Sequence, residues 1–588
     1  MLNREKIQYD PDAKIRHILE IHGTNHRIMM ENESPQEMLD RVVETIMGVE
    51  ELFGTSPEEI KQLKQTFRQH FINRDFIPGI PTLTNAGRPG YEFSALSSCV
   101  VIPVDLRREE EATQKILSYY QQNMGSGYNF TKYEDPVGML RWLNDLSDRE
   151  TKTGNYDRRI ANMGTLHVSH PKIREFVQAK VEDSTLTYFN ISVEITDEFM
   201  NAAANDEMYA LADGTEVSAK ALLAEISKAA WMCGDPGLVN LDRMNEHNPL
   251  SNIAAYDCTP PCGEMGLAPG ETCQFGYINL ANFVDKNGIK SEKLTELVRF
   301  VVRVLDNAVE YGIENQPSPE GQQMARLKRK IGISVAGLAD ALIKAGVPYD
   351  SPEGRELARD LLSLINYQAK LASVELAEER GACEAMKYSL NNKYYEGYIA
   401  SRYANQATST VSKQQWLELD EKIKRTGMLR NIHHTALPPG GRASMVLGAN
   451  HSIEPIFSPA GLNADTVGLV LGLVSDSLIE GEAEQNLQEM FNSAVEAGSF
   501  RDLPISDEAK ELLKTAIEID PESHVLMTAA LAGNNGVSDE SASKTVNLPS
   551  SATPEDIMRT YIFAHQVGMK NVSVYRDNTL DNQPRKLS

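Results

Sequence analysis

Strand-like apolar runs alternate with long amphipathic helices along most of this 588-residue chain, and no linker-like stretch separates them. That alternation points to one large α/β domain rather than a string of small ones. The first seventy or so residues read as helices. Ser34 caps one, with Pro35 at its first position, and Ser56-Pro57 opens another in the same way. From Phe76 the texture changes to short apolar runs separated by Gly and Pro. Phe189 to Val193 and Ser98 to Pro103 are strand-like. Leu294, Leu297, Val298, Val301, Val302, Leu305 and Val309 mark one face of a helix. A long helix starts at Ser351-Pro352 and should stop at Gly381. Thr553 to Asp556 begins a late helix, followed by a strand-like Val572 to Tyr575. Periodicity fits an open sheet and a closed barrel equally well.

Bulk properties exclude several classes. A formal net charge of −25 repels nucleic-acid backbones, so no broad nucleic-acid face is expected. There is no run of about 18 apolar residues, so no membrane span is expected. Met1 to Lys6 lacks the apolar core of a signal peptide. Six scattered cysteines do not make a secreted disulfide framework, and a cytoplasmic protein with reduced thiols is the expectation.

Three of those cysteines stand in distinctive contexts: Ser98-Cys99-Val100, Pro261-Cys262-Gly263-Glu264 and Thr272-Cys273-Gln274. Together they suit a chemistry in which one sulfur carries a radical, a carboxylate moves a proton and two sulfurs supply an electron pair. Pro260, Pro261 and Gly263 exclude a regular helix or central strand around Cys262, leaving it on a constrained loop. Read alone, each cysteine is equally a small core hydrophobe. Cys258 and Cys262 are spaced for half a zinc site, but only Cys273 follows nearby, and no metal ligand is assigned. Gly125-Ser126-Gly127-Tyr128 does not continue as a dinucleotide fingerprint. Pro438 to Ser444 carries glycines, a guanidinium and a hydroxyl before a helix start, suited to a phosphate or to a plain turn. His433 and His434 are adjacent, so on a strand they point to opposite faces and read as solvent or packing residues.

In this order, these segments resemble the catalytic subunit of ribonucleotide reductase, most nearly the class II, adenosylcobalamin-dependent form. Further stretches carrying the resemblance are Phe76 to Gly87, Arg158 to Gly164, Gly234 to Leu238, Arg329 to Ile333, Gly448 to Phe457 and Lys544 to Pro549. The resemblance implies a ten-stranded α/β barrel over residues 76–578, with a finger loop near 258–273, a helical region over 1–75 and a short tail over 579–588. It implies that Cys262 forms the thiyl radical and removes the 3′ hydrogen of a ribonucleotide. Glu264 would take the 3′-hydroxyl proton. Cys99 would protonate the leaving 2′-hydroxyl and end in a disulfide with Cys273. Asn190 is expected in the substrate pocket. Thr82, Ser98 and the loop Gly440, Gly441, Arg442, Ala443 and Ser444 are expected to hold ribose and phosphate. Adenosylcobalamin is the implied radical source, because Gly568 to Asp577 carries one tyrosine where radical transfer from a second subunit uses a pair.

The chain departs from the family pattern in several places. Pro260 and Gly79 stand where asparagines are usual, and Arg442 sits in a phosphate loop that usually bears threonine. The stretch from Phe130 to Pro136 is short where relatives carry an effector-binding loop, and no ATP-sensing N-terminal cone is evident. The sequence ends Asn582 to Ser588 without a cysteine pair. The expected reductant is therefore a thioredoxin- or glutaredoxin-like protein acting directly, or a separate chain bringing the pair. A homodimer is a further expectation. Two alternatives are a radical enzyme of the same fold acting on another nucleotide and a non-catalytic nucleotide-binding relative.

Overall fold

The computed structural model describes residues 28–156, 158–479 and 486–579. Residues 580–588, where most of the expected tail falls, lie outside the described residues, as does the Met1 to Lys6 segment.

Two helices lead in: α1 (Pro35–Gly48) and α2 (Pro57–Ile72). Each begins as its sequence predicts, with Ser34 and Ser56 closing capping boxes on Glu37 and Glu59. Their apolar faces pack onto α3 (Ser291–Ile313), whose predicted stripe is buried throughout. The long helix α4 (Pro352–Arg380) lies beside α3 and ends at Gly381, as its sequence requires.

One ten-stranded sheet forms the centre. Its strands are β1 (Phe76–Pro78), β2 (Cys99–Val101), β3 (Gly125–Asn129), β4 (Asn162–His167) and β5 (Phe189–Glu194). The rest are β6 (Gly237–Val239), β7 (Thr272–Asn279), β8 (Ile331–Ala336), β9 (Thr545–Leu548) and β10 (Asn571–Arg576). Strands β2 to β6 are parallel neighbours. A second parallel group runs opposite to them: β7 pairs antiparallel with β2, and β10 pairs antiparallel with β6. Within that group β8 lies along β7, and β9 along β10. The extended segment 435–437 bridges β8 at Ile333↔Thr435 and the approach to β9 at Leu437↔Ala542. This segment thus lies between β8 and the approach to β9, where no regular strand is formed.

Alternation sorts the two faces of the strands. On β5, Phe189, Ile191 and Val193 enter the core shared with the covering helices, and Asn190 and Ser192 face the other way. On β10, Val572 and Val574 enter the same core, and Asn571 and Ser573 face inward. The segment from Asp257 to Leu267 fills the interior as a hairpin pinned by the bridge Cys258↔Leu267. Among the described residues no helix is long and apolar enough to cross a membrane.

Candidate active site

The hairpin can enter because the strands facing it are stripped of side chains where it passes. Gly125 and Gly127 lie on β3, so Gly125 to Tyr128 is strand rather than phosphate loop. A Cβ on Gly127 would sit 2.2 Å from the Thr259 carbonyl oxygen, and one on Gly125 would press on Pro261 at 3.1 Å. Gly263, with φ +71°, turns the tip against Asn571 of β10. From β5, Asn190 Nδ2 donates 2.7 Å to the Pro261 carbonyl. Asn190 therefore holds the loop that carries Cys262, and its side chain is also exposed inside the sheet.

The three cysteines and the glutamate meet. Cys99 on β2 is directly opposite Cys273 on β7 in an antiparallel pair. Both thiols are free and buried. Burial, and then the charge of Glu264, push Cys99 up to about 12. Cys273 is likewise raised well above the usual thiol range, again by burial. Cys262 is exposed, but to a hollow within the protein: Cys99, Glu264 and Tyr277, which act on or beside it, are themselves buried. Glu264 is 2% exposed and its Oε2 has no hydrogen-bond partner. Desolvation pushes its carboxyl up to about 7, against smaller opposing effects from its own backbone N–H, Arg158 and Lys330. A carboxylate poised near neutrality, with one oxygen left open, suits a group that exchanges a proton.

The loop expected to take phosphate begins the short helix α5 (Gly441–Leu447). Gly440 is obligatory, since a Cβ there would lie 2.1 Å from Ser444 Oγ and 2.7 Å from the Ser452 nitrogen. Ser444 Oγ already accepts from that nitrogen at 3.3 Å. Ala443 is buried, and the guanidinium of Arg442 is half-buried. Desolvation and the nearby positive charge of Arg158 both lower the pKa of Arg442. Tyr277, on the Cys273 face of β7, donates 3.2 Å to the Pro439 carbonyl and ties this loop to the cysteine strand.

The remaining expected residues sit at the margin. Ser98 adjoins Cys99, and its carbonyl accepts from Arg158 Nη1 at 3.0 Å. Thr82 is buried, with its hydroxyl donated to the Leu96 carbonyl at 3.1 Å. Gly79 precedes it where space is tight: a Cβ would lie 3.2 Å from both Ser98 Oγ and the Phe275 carbonyl oxygen. Cys258 is buried against Thr165 Oγ1 at 3.5 Å. Among the described residues no group of three His, Cys, Asp or Glu side chains is arranged for a metal. His433 and His434 are both buried, off any strand, and reach different carboxylates, Glu540 and Asp539 respectively.

Sequence reasoning passed over Arg158 and Tyr277 as site residues. Tyr277 was accessible from alternation, because it lies four residues from Cys273 on the same strand face. Arg158 begins a stretch that carries the resemblance, but nothing local gives it a role of its own. Its importance comes from its position, since its charge acts on Cys99, Cys262, Glu264 and Arg442 alike.

Comparison with known proteins bears on the fold and the family. The family described as "Ribonucleotide reductase, barrel domain" matches residues 97–575. A vitamin B12-dependent ribonucleoside-diphosphate reductase of Thermoplasma acidophilum is 34% identical over 88% of this chain and 66% of its own. A protein of the same description from Mycobacterium tuberculosis is 31% identical over 94% of this chain and 77% of its own. In structure, the class Id ribonucleotide reductase alpha subunit of Actinobacillus ureae superposes with a TM-score of 0.72 at 17% identity, covering 94% of this chain and 95% of that one. A match over most of the chain, joined to the meeting of Cys99, Cys262, Glu264 and Cys273 around one hollow, makes this chain a member of the ribonucleotide reductase family.

Proposed function

We propose that this chain is an adenosylcobalamin-dependent ribonucleotide reductase, converting ribonucleoside di- or triphosphates to 2′-deoxynucleotides. The observation that carries the reading is the grouping of an inward-exposed Cys262, the buried Glu264 with its carboxyl pushed up to about 7, and the facing pair Cys99–Cys273. The vitamin B12-dependent relatives support the choice of radical source.

The chain's own groups divide the chemistry as follows. Cys262, as a thiyl radical, takes the 3′ hydrogen atom, and Glu264 takes the 3′-hydroxyl proton through its unpartnered oxygen. Cys99 gives its proton to the departing 2′-hydroxyl, which leaves as water. Its high pKa keeps it protonated until that step. Cys99 and Cys273 then release two electrons and form a disulfide. The 3′ hydrogen returns from Cys262, and the thiyl radical is regenerated. In balance, one ribonucleotide and one dithiol give one deoxynucleotide, one disulfide and water. Arg442 and Arg158 offer positive charge to the phosphates or base edge of the nucleotide.

The inner face carries polar groups suited to a nucleoside-bearing cofactor. Ser573 and Asn190 are exposed there although their strands are paired on both sides, and the missing side chain of Gly237 lets Ser192 Oγ and Ser573 Oγ approach, since a Cβ there would lie 3.2 Å from each. These residues would hold the adenosyl group beside the Cys262 loop. When bound, adenosylcobalamin supplies the one-electron oxidation that makes the thiyl radical.

An external dithiol protein of thioredoxin or glutaredoxin type, or a separate chain bearing a cysteine pair, would reset the disulfide. Cys262→Ala is the direct test: turnover should vanish while folding is kept, and undiminished activity would reject the reading.

A further inference from the structure

The backbone N–H and carbonyl of Gly266, two residues beyond Glu264, are each held by one member of a buried ion pair. Lys330, just before β8, donates from Nζ to the Gly266 carbonyl at 2.8 Å. Glu540, on the approach to β9, accepts from the Gly266 N–H through Oε2 at 3.3 Å. The two side chains pair with each other at 2.7 Å and are 1% and 3% exposed. Tyr256 closes the arrangement, donating 2.7 Å to Glu540 Oε1, and its ring occupies the space a Cβ on residue 266 would need. His433 Nδ1 lies 2.7 Å from the same Glu540 oxygen. We propose that Lys330 and Glu540 are positioning residues, a clamp that fixes the Cys262–Glu264 tip of the loop relative to the substrate hollow. The proposal rests on the reaction assigned above.

Stability alone does not account for the pair. A buried ion pair is commonly no better for stability than well-packed apolar residues of the same volume. Apolar residues here would, however, leave the Gly266 N–H and carbonyl unpaired in the interior. The pair satisfies both backbone polar groups of one residue, and Asn190 holds the other arm of the loop at Pro261. The reactive tip is thus suspended between two fixed points. The clamp also sets the field at Glu264: Glu540 raises its pKa and Lys330 lowers it, alongside Arg158 and near the Cys262, Cys99 and Tyr277 side chains.

Two sets of variants of the full chain test this. In Lys330→Met/Glu540→Leu both charges go together, so no lone charge is buried. Hydrogen exchange of peptides covering 262–267 should quicken about tenfold or more, the rest of the sheet keeping its protection. With cofactor, dithiol and ribonucleotide, kcat should fall at least about tenfold with KM within about threefold. Unchanged loop exchange in the folded double variant would overturn the clamp. The single variants Glu540→Gln and Lys330→Gln should move the acid limb of kcat in opposite directions, downward and upward. A shift in the same direction, or none, would also overturn it. If the wild type made no deoxynucleotide, the assigned reaction would fall, while loop exchange would still decide the clamp.

Discussion

Cys99 and Cys273 lie directly opposite one another on antiparallel neighbours β2 and β7. Such partners have Cα atoms about 4.5–5.5 Å apart, inside the span a disulfide bridges. Mild oxidation should therefore link them to each other, and mass mapping under non-reducing conditions should recover that cross-link in preference to one with Cys258 or Cys383. Cys99→Ser and Cys273→Ser should each abolish multiple turnover with a dithiol.

Glu264 predicts a pH dependence with a definite sign. It must be ionised to accept a proton, and its carboxyl is pushed up to about 7. Below that value kcat should fall by about tenfold for each pH unit. The profile of kcat against pH checks this, and a flat profile between pH 5 and 7 would contradict it.

The same carboxyl is a cost to the fold. Because its pKa is raised from 4.5 to about 7, stability is lost as pH rises through that window and stays lower above it. At about 1.4 kcal/mol per pH unit, ionising it costs roughly 3 kcal/mol. Glu264→Gln should therefore be inactive and, at pH 8, more resistant to denaturant than the wild type by up to that amount. Equilibrium unfolding of the two proteins at pH 5 and pH 8 gives the comparison.

Gly127→Ala drives a methyl group to 2.2 Å from the Thr259 carbonyl oxygen. The hairpin must move, and the cost of such overpacking is typically about 1–3 kcal/mol. The variant should fold with a lowered Tm and lose most of its turnover, because Cys262 and Glu264 ride on that hairpin.

Arg442→Ala should act on binding. Its half-buried guanidinium is disfavoured by desolvation and by Arg158, and an anionic ligand relieves both. KM for the nucleotide should rise about tenfold or more, kcat changing less, and the difference from wild type should shrink at high salt.

Local features were readable from the sequence because their causes are local. Ser34-Pro35 and Ser56-Pro57 start helices through bonds made within three residues, and Gly381 ends one where the chain needs a positive φ. The constrained loop at Cys262 followed from its prolines and glycine. Residues brought together by strand register were not readable from spacing. That Cys99 faces Cys273, and that Gly125 and Gly127 clear a path for Thr259 and Pro261, depends on how β2, β3 and β7 align. The resemblance to ribonucleotide reductase supplied the pairing that spacing could not. Arg158, Lys330 and Glu540 stayed hidden because each acts across the interior on residues far away in the chain.

The most direct test is anaerobic incubation of the purified chain with adenosylcobalamin, dithiothreitol and ribonucleoside di- and triphosphates, with products followed by mass spectrometry. The account predicts 2′-deoxynucleotides from the wild type and none from Cys262→Ala. No deoxynucleotide from wild-type protein that binds the cofactor and the nucleotide would contradict it.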